Sequence, residues 1–265
     1  MSIYSSYDNK NNQVVYDFSD KQTKGAFLTK VFGMMFILLL ITTVVAAGFG
    51  YGFQVLLLNS GVRDAQGNLI AVDDNLVYIL FGVLGVSGIA LLVMSFVLPI
   101  TFMRGRHNIL VPLIIYTVLM GLMLSTFTFF FDWVILVEAF GITSLIFGVM
   151  AFLGYVSKGR LAGVGFILVS LMVGALVLSL VNWVMILTGG ISETNVQISW
   201  IVSLLVFAFL MLITLYDVNR IKKIAERGMA QNNNLVYYCA YILFSDFIAI
   251  LIRVIYYLAA FTKRN

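Results

Sequence analysis

Long apolar runs separated by short polar stretches dominate the chain. A helix needs about 20 apolar residues to cross the ~30 Å hydrocarbon core of a bilayer. Seven runs reach about that length, and we number them as spans one to seven: 27–50, 75–102, 109–131, 133–155, 161–188, 198–224 and 235–261. The pattern therefore predicts an all-α, polytopic membrane protein with seven transmembrane helices.

The polar stretches outside the spans are short and set the expected domain boundaries. Residues 1–26 form a polar N-terminal tail, residues 27–261 the transmembrane domain and residues 262–265 the C-terminal tail. The first segment lacks the ordered charged, apolar and small-residue regions of a cleavable signal peptide, so we expect span one to be retained. Residues 51–74 contain several Gly, Asn and Asp, which predicts an external loop with turns.

Composition agrees with a membrane protein, because 62% of the residues are hydrophobic and only 11% are charged. The net charge of +4 could indicate a nucleic-acid partner in a soluble protein. Here the basic residues instead cluster at the N-terminus and in alternate connections: Lys10, Lys21, Lys24, Lys30, Arg104, Arg106, Lys158, Arg160, Arg220, Lys222, Lys223 and Arg227. The partner that this placement predicts is the lipid bilayer, not nucleic acid.

The same placement predicts the orientation of the chain. Basic loops stay on the cytoplasmic side, so we expect a cytoplasmic N-terminus and, with seven spans, an external C-terminus. Lys263 and Arg264 follow span seven and disagree with an external end. Whether span seven crosses the bilayer fully is therefore left open.

Residue types exclude most catalytic chemistry. The chain has one His and one Cys, and it contains no phosphate-binding loop, no metal-spaced His or Cys cluster and no Ser-His-Asp set. We expect no enzymatic activity and no cofactor. Cys239 lies in an apolar span, where we expect it to contribute packing.

Three acidic residues lie inside the apolar spans: Glu138, Asp217 and Asp246. A charge at the centre of a bilayer costs at least ~3 kcal/mol, so such a residue is by default a functional hypothesis. Asp217 precedes Gly228 by eleven residues, and Asp246 follows Leu235 by eleven. At ~1.5 Å per residue, an antiparallel hairpin would place both aspartates roughly 16 Å from the turn.

Two carboxylates at one depth in a low-dielectric site are expected to share a proton and to titrate as a pair. Asp217 and Asp246 are therefore predicted to form a pH sensor. The alternative is that each aspartate separately bonds neighbouring hydroxyls or amides, such as those of Thr214 or Ser245.

Arg253 follows Asp246 by seven residues, which places it on nearly the same helix face and roughly 10 Å further along. It could form a positive barrier in a pore, pair with Glu138, or extend outward as an interfacial anchor. Glu138 and Arg253 are therefore candidates for the ion pathway, and these alternatives stay open.

Two stretches resemble the paired aspartate signature of the transmembrane Bax inhibitor motif family. These are LITLYDVNRIKK in span six and ILFSDFIAIL in span seven. Three other stretches are also similar: YTVLMGLMLSTFTFFF, VEAFGITSLIFGVMAFLGYVSKGRL and GFILVSLMVGALVLSLVNWVM. The similarity covers roughly residues 90–258 in the right order.

The resemblance implies six helices surrounding the seventh and a pH-sensitive calcium leak, with calcium and protons as the ions involved. Asp217 and Asp246 would form the sensor and bind calcium weakly and transiently. Arg104, in FMRGR, would contact this region and help to hold the closed state. Bacterial relatives occur in the cytoplasmic membrane, which is the expected location.

The chain departs from the family pattern in three places. Span two contains no acidic residue, Ala249 stands where an Asn is common, and Arg253 comes earlier than the usual arginine of that helix. These departures leave the aspartate pair in place and bear on the conduction path.

Three other classes of function are alternatives to a channel. A non-conducting regulator that binds another membrane protein, such as a membrane-bound protease, fits the resemblance as well. An intramembrane aspartyl protease is disfavoured because Asp246 is not preceded by Gly-x-Gly, and a retinal protein is disfavoured because span seven has no lysine.

Overall fold

The computed structural model describes residues 7–8, 13–14, 21–63, 69–71, 73–104, 108–157, a discontinuous set between 168 and 184, 193–226 and 233–262. Helices dominate these residues. In chain order they are α1 (Lys21–Ser60), α2 (Asp74–Arg104), α3 (Leu110–Leu124), α4 (Phe127–Phe130), α5 (Trp133–Val156), α6 (Glu193–Glu226) and α7 (Asn233–Thr262).

Four very short strands form two antiparallel pairs within the described residues. Strands β1 (Tyr7–Asp8) and β2 (Gln13–Val14) pair with each other, as do β3 (Val62–Arg63) and β4 (Leu69–Ala71). The second pair closes the connection between α1 and α2.

Six helical segments of the described chain are long and apolar enough to cross a membrane. They coincide with six of the seven predicted spans, α3 and α4 together forming the segment Leu110–Phe130. Much of span five, 161–188, lies outside the described residues, although its described residues, such as 170–174, are helical. The chain is thus a multi-pass membrane protein, while the arrangement of seven helices stays a prediction.

The external loop predicted over residues 51–74 is wrong for its first ten residues. Helix α1 continues to Ser60, and the turn is confined to the segment around β3 and β4. The stretch FQVLLL contains no helix breaker, and the first strong stop signal is Asn59-Ser60-Gly61. Helix α1 therefore ends about ten residues later than the Gly, Asn and Asp content of residues 51–74 predicted.

The chain divides into two compact units. The first comprises Met1–Asp17, Gly25–Leu136 and Ala230–Phe244, and the second comprises Phe18–Lys24, Val137–Met229 and Ser245–Asn265.

In the first unit, α3 packs closely on α1. A Cβ built on Gly121 would lie only 2.9 Å from the carbonyl oxygen of Thr42 and 2.7 Å from Cβ of Val45. The Thr42 hydroxyl also donates to the carbonyl oxygen of Thr117 at 3.4 Å. Small residues let membrane helices approach in this way.

The first unit also contains the start of α7. The ring of Tyr238 stacks on Phe102 near the end of α2, with centroids 4.1 Å apart and planes within 3°. Asn234 Oδ1 accepts a hydrogen bond from the backbone N–H of Ile109, just before α3. These contacts hold the ends of three helices together.

In the second unit, one face of α5 is buried through a stripe of mostly small residues that ends at Gly154: Ala139, Thr143, Phe147, Ala151 and Gly154. A Cβ on Gly154 would lie 2.5 Å from the carbonyl oxygen of Leu215 in α6, so the two backbones are in direct contact. Phe140 and Phe147 of α5 both contact the ring of Phe247 in α7.

Helix α7 is the most buried of the six long apolar segments. In the most apolar stretch of α7, half of the residues are buried. In the corresponding stretch of each of the other five segments, one third or fewer are buried. A transmembrane helix covered by protein rather than lipid is where an ionisable side chain can be accommodated.

Candidate functional site

The two intramembrane aspartates both belong to the second unit. Asp217 lies in α6 and is 9% exposed. Asp246 lies in α7; its side chain is partly exposed, but its Oδ2 atom is buried and has no hydrogen-bond partner among the described residues. The structure therefore places the two predicted sensor residues in the same unit, on α6 and α7.

Side-chain contacts show how α6 and the later part of α7 are matched. The ring of Phe207 packs edge-on against Tyr257, with centroids 5.4 Å apart. Ten residues further along α6 is Asp217, and ten residues back along α7 is Phe247, next to Asp246. Because the two helices rise equally per residue, this antiparallel register brings the two aspartates to similar depth.

The hydroxyl groups considered as alternative partners do not bond the aspartates. The hydroxyl of Thr214 donates to the carbonyl oxygen of Leu210 in its own helix, at 2.9 Å. Oγ of Ser245 is buried and has no hydrogen-bond partner within the described part of the chain. Neither of these two hydroxyl groups therefore bonds an aspartate.

Helix α6 is fixed to the end of α5 beside Asp217. Nδ2 of Asn219 donates to the carbonyl oxygens of Gly154 and Ser157 at 3.1 and 3.0 Å. Lys222 Nζ donates to the carbonyl oxygen of Tyr155 at 2.7 Å. The last carbonyls of a helix have no partner within it, so these side chains satisfy groups that would otherwise need water. They also hold the turn of α6 that carries Asp217.

Arg253 lies at the other end of the α6–α7 contact. Its Nη1 donates to Oγ of Ser203 at 3.3 Å, and that hydroxyl in turn donates to the Tyr257 hydroxyl at 3.1 Å. Trp200 stacks on the same tyrosine, with centroids 6.0 Å apart. The guanidinium is thus directed at α6 and held there by polar and aromatic contacts.

The remaining predicted site residues are placed as follows. Glu138 is exposed on α5, and no ion pair joins it to Arg253 in the described structure. Arg104 is the last residue of α2, and its side chain lies outside the described residues. The structure thus leaves the roles predicted for these two residues as predictions.

The site has few strong metal ligands. No group of three or more His, Cys, Asp or Glu residues that could hold a metal ion occurs among the described residues. Calcium takes six to eight oxygen ligands. Asp217 and Asp246 alone could therefore hold calcium only weakly, and other oxygen atoms would have to complete its shell.

Sequence reasoning missed the residues that support the aspartates. Asn219 and Lys222 both follow Asp217 on α6, and the available signal was a polar amide at the end of a long apolar run. Thr143 was missed as well, since a single threonine in an apolar span normally bonds its own helix. Which carbonyls a side chain reaches depends on helix packing, which local sequence does not encode.

The chain was compared with known proteins. A family model described as "Inhibitor of apoptosis-promoting Bax1" matches residues 24–263. A comparison with curated proteins gives no match. The family match covers nearly the whole chain and includes all six of the long apolar helical segments.

Proposed function

Because the chain belongs to the family of inhibitors of apoptosis-promoting Bax1, we propose that it is a pH-sensitive calcium leak channel gated by protonation of Asp217 and Asp246. The observation that carries the proposal is the register of the packed helices α6 and α7, which brings the buried Asp217 to a depth similar to that of Asp246. Two carboxylates that meet in a low-dielectric site favour one shared proton, so a change of pH alters the charge of the pair.

Among the described residues of α5, α6 and α7, few other charged groups lie near the pair. On α6 the exposed Arg220 lies one turn after Asp217. On α5 the nearest acid is the exposed Glu138, and on α7 the nearest base is Arg253, which is bonded to Ser203. The gating role of Arg104 belongs to the same proposal. Protonation of the aspartates is therefore the local change of charge on which the proposed gating depends.

Weak binding suits a leak. Two carboxylates supply only part of the oxygen shell that calcium prefers, so the ion can enter the site and leave it again. The proposal includes an N-terminus on the cytoplasmic side, a location in the bacterial cytoplasmic membrane, no cofactor and no enzymatic activity. It treats calcium and protons as the ions that the protein handles.

The test uses purified protein in calcium-loaded vesicles with a fluorescent calcium indicator outside. We expect calcium release that depends on pH, and we expect Asp217→Asn and Asp246→Asn each to flatten that dependence. Asp132→Asn is a matched control, because this acid lies between α4 and α5, outside the pair. Wild-type pH profiles in both aspartate variants would overturn the sensor assignment.

The alternative is a regulator that binds another membrane protein and conducts nothing. Purified protein that passes no ion at any pH, in vesicles where its insertion is verified, would favour that alternative. Crosslinking from residues 218–234 would then be the way to recover the partner.

A further inference from the structure

Arg253, in the C-terminal part of α7, carries a guanidinium group whose N–H donors are mostly unused. Among the described residues, its hydrogen bonding is limited to the 3.3 Å contact from Nη1 to Oγ of Ser203, and no acidic side chain there forms an ion pair with it. The side chain is half-buried, and none of its nitrogen atoms is among the buried atoms without a partner. A guanidinium presents several N–H groups in one plane. Within the described structure, its remaining donors are therefore accessible to an anion.

Aromatic rings border the hydroxyl group that Arg253 contacts. Ser203 donates in turn to the Tyr257 hydroxyl at 3.1 Å, and the ring of Trp200 stacks on that of Tyr257 with planes within 17°. Trp200 also contacts the ring of Phe261, which is 57% exposed. Trp and Tyr side chains are enriched where a membrane meets water. The cluster is therefore typical of helix ends at the membrane surface.

Counting along α7 places Arg253 close to the level of the lipid headgroups. The helix has 30 residues and is thus about 45 Å long. If it is centred in a core of ~30 Å, roughly 7 Å of helix lies outside the core at each end. Arg253 precedes Thr262 by nine residues, about 14 Å, so its Cα lies roughly 6 Å inside the core. A long arginine side chain can bring its charge from such a depth to the interface.

The contact with Ser203 shows that the side chain extends in this direction. Phe207 of α6 packs against Tyr257, which already lies one turn beyond Arg253 on α7. Ser203 precedes Phe207 by four residues, and in an antiparallel pair the start of α6 lies beside the end of α7. Ser203 is therefore nearer to the end of α7 than Arg253 is, and the guanidinium extends toward that end.

The geometry points to a binding site for the phosphate group of an anionic lipid headgroup, formed by the Arg253 guanidinium and bordered by the ring of Trp200. Arginine binds phosphate oxygens through two parallel N–H bonds. Lys263 and Arg264 follow α7 in the sequence, and basic residues beside a membrane helix favour lipids with a net negative charge. The site does not depend on calcium conduction.

The test uses a background in which Trp200 is the only tryptophan, made by Trp133→Phe and Trp183→Phe. Lipids with brominated acyl chains quench a tryptophan that they contact. In phosphatidylcholine vesicles, brominated phosphatidylglycerol should half-quench Trp200 at a fraction about tenfold lower than brominated phosphatidylcholine does, as expected for charged hydrogen bonds.

Variants of Arg253 identify the group that causes this preference. Arg253→Gln should abolish the preference, and Arg253→Lys should keep part of it, because lysine retains the charge but not the paired N–H groups. Arg220→Gln is the matched control, since this exposed arginine lies twenty residues from Trp200 on the same helix, about 30 Å away. It should keep the full preference.

A second measurement separates a lipid from free phosphate as the source of the phosphate group. In detergent, phosphatidylglycerol should raise the unfolding temperature of the wild-type protein and not that of Arg253→Gln. Inorganic phosphate, at an ionic strength matched with chloride, should leave it unchanged.

Equal quenching by the two brominated lipids, or a preference that Arg253→Gln retains, would overturn the site. If Arg253→Gln does not fold, Arg253→Lys decides, and an unreduced preference there would contradict binding through paired N–H groups. A rise in unfolding temperature with inorganic phosphate that is lost in Arg253→Gln would overturn the lipid assignment in favour of free phosphate.

Discussion

The side-chain amide of Asn219 donates a hydrogen bond to the carbonyl oxygen of Gly154, 3.1 Å away, and so joins α6 to the end of α5. Asn219 is 2% exposed and also reaches the carbonyl oxygen of Ser157. It lies two residues after Asp217, on the same turn of α6. The contact positions the turn that carries the proposed sensor.

Asn219→Leu should therefore destabilise the protein by about 1–3 kcal/mol, because it leaves two carbonyl groups at a helix end without a partner. The measurement is thermal unfolding of the purified protein in detergent. Ser95→Ala is the control, since that hydroxyl is exposed and bonds only within α2. Equal unfolding temperatures for the two variants would show that the Asn219 contacts do not stabilise the protein.

Gly154→Ala should also be destabilising, by about 1–3 kcal/mol, because the added methyl group requires the packed helices to separate. The new Cβ would lie 2.5 Å from the carbonyl oxygen of Leu215 and 3.1 Å from Cβ of Val218. Gly148→Ala, in the same helix, has no heavy atom within 4 Å of the added Cβ. Alanine favours a helix over glycine by up to about 1 kcal/mol, so this control should be neutral or stabilising. Opposite signs for the two variants are the expected result, and a stabilised Gly154→Ala would contradict the close packing of α5 on α6.

Neutralising either aspartate should have the same effect on pH dependence as neutralising both. If gating depends on one proton shared by Asp217 and Asp246, either substitution removes the shared state, although the remaining carboxyl group still titrates. The measurement is calcium release between about pH 5 and 9. This wide range is needed because one pKa of a pair of carboxyl groups can lie well above that of an isolated one. Additive effects of Asp217→Asn and Asp246→Asn would show two independent groups instead of a pair.

Arg253→Gln should increase the permeability to calcium more than that to potassium. The guanidinium is held by Ser203 and lies seven residues from Asp246, so its charge acts on a cation near the aspartates. The Coulomb energy scales with ion charge, so the change in barrier for calcium should be about twice that for potassium. Flux of the two ions in the same vesicles gives the ratio. Arg253→Lys keeps the charge and is the control, and an unchanged ratio in Arg253→Gln would exclude an electrostatic barrier.

Phe102→Ala should loosen the end of α2. Its ring stacks on Tyr238 with centroids 4.1 Å apart, and an aromatic pair contributes about 0.5–1.5 kcal/mol beyond the area it buries. Hydrogen exchange of the last turn of α2 should become faster. Phe96→Ala is the matched control, because this ring lies in the same helix and is 70% exposed. Equal exchange in both variants would show that the stacked pair does not hold α2.

Most of the membrane topology follows from the sequence because it depends on a single dominant energy. An unpaired backbone group in hydrocarbon costs several kcal/mol, so an apolar run of sufficient length must be helical. The predicted positions of the helix ends were less accurate, because span one was predicted to end at residue 50 and α1 extends to Ser60. Helix ends depend on weaker local signals than the helices themselves.

The sequence by itself determined that this is a multi-pass helical membrane protein with aspartates in two of its helices, and counting residues from the connection placed Asp217 and Asp246 at one depth. Depth along a helix depends only on a constant rise per residue, so counting is sufficient. Only the tertiary structure decided which way each side chain faces around its helix. It shows that Asn219 meets the end of α5, that Arg253 is directed at Ser203, and that Thr143 is buried without a hydrogen-bond partner in the described part of the chain. These contacts depend on how each helix is rotated against its neighbours, which side-chain packing between distant segments sets.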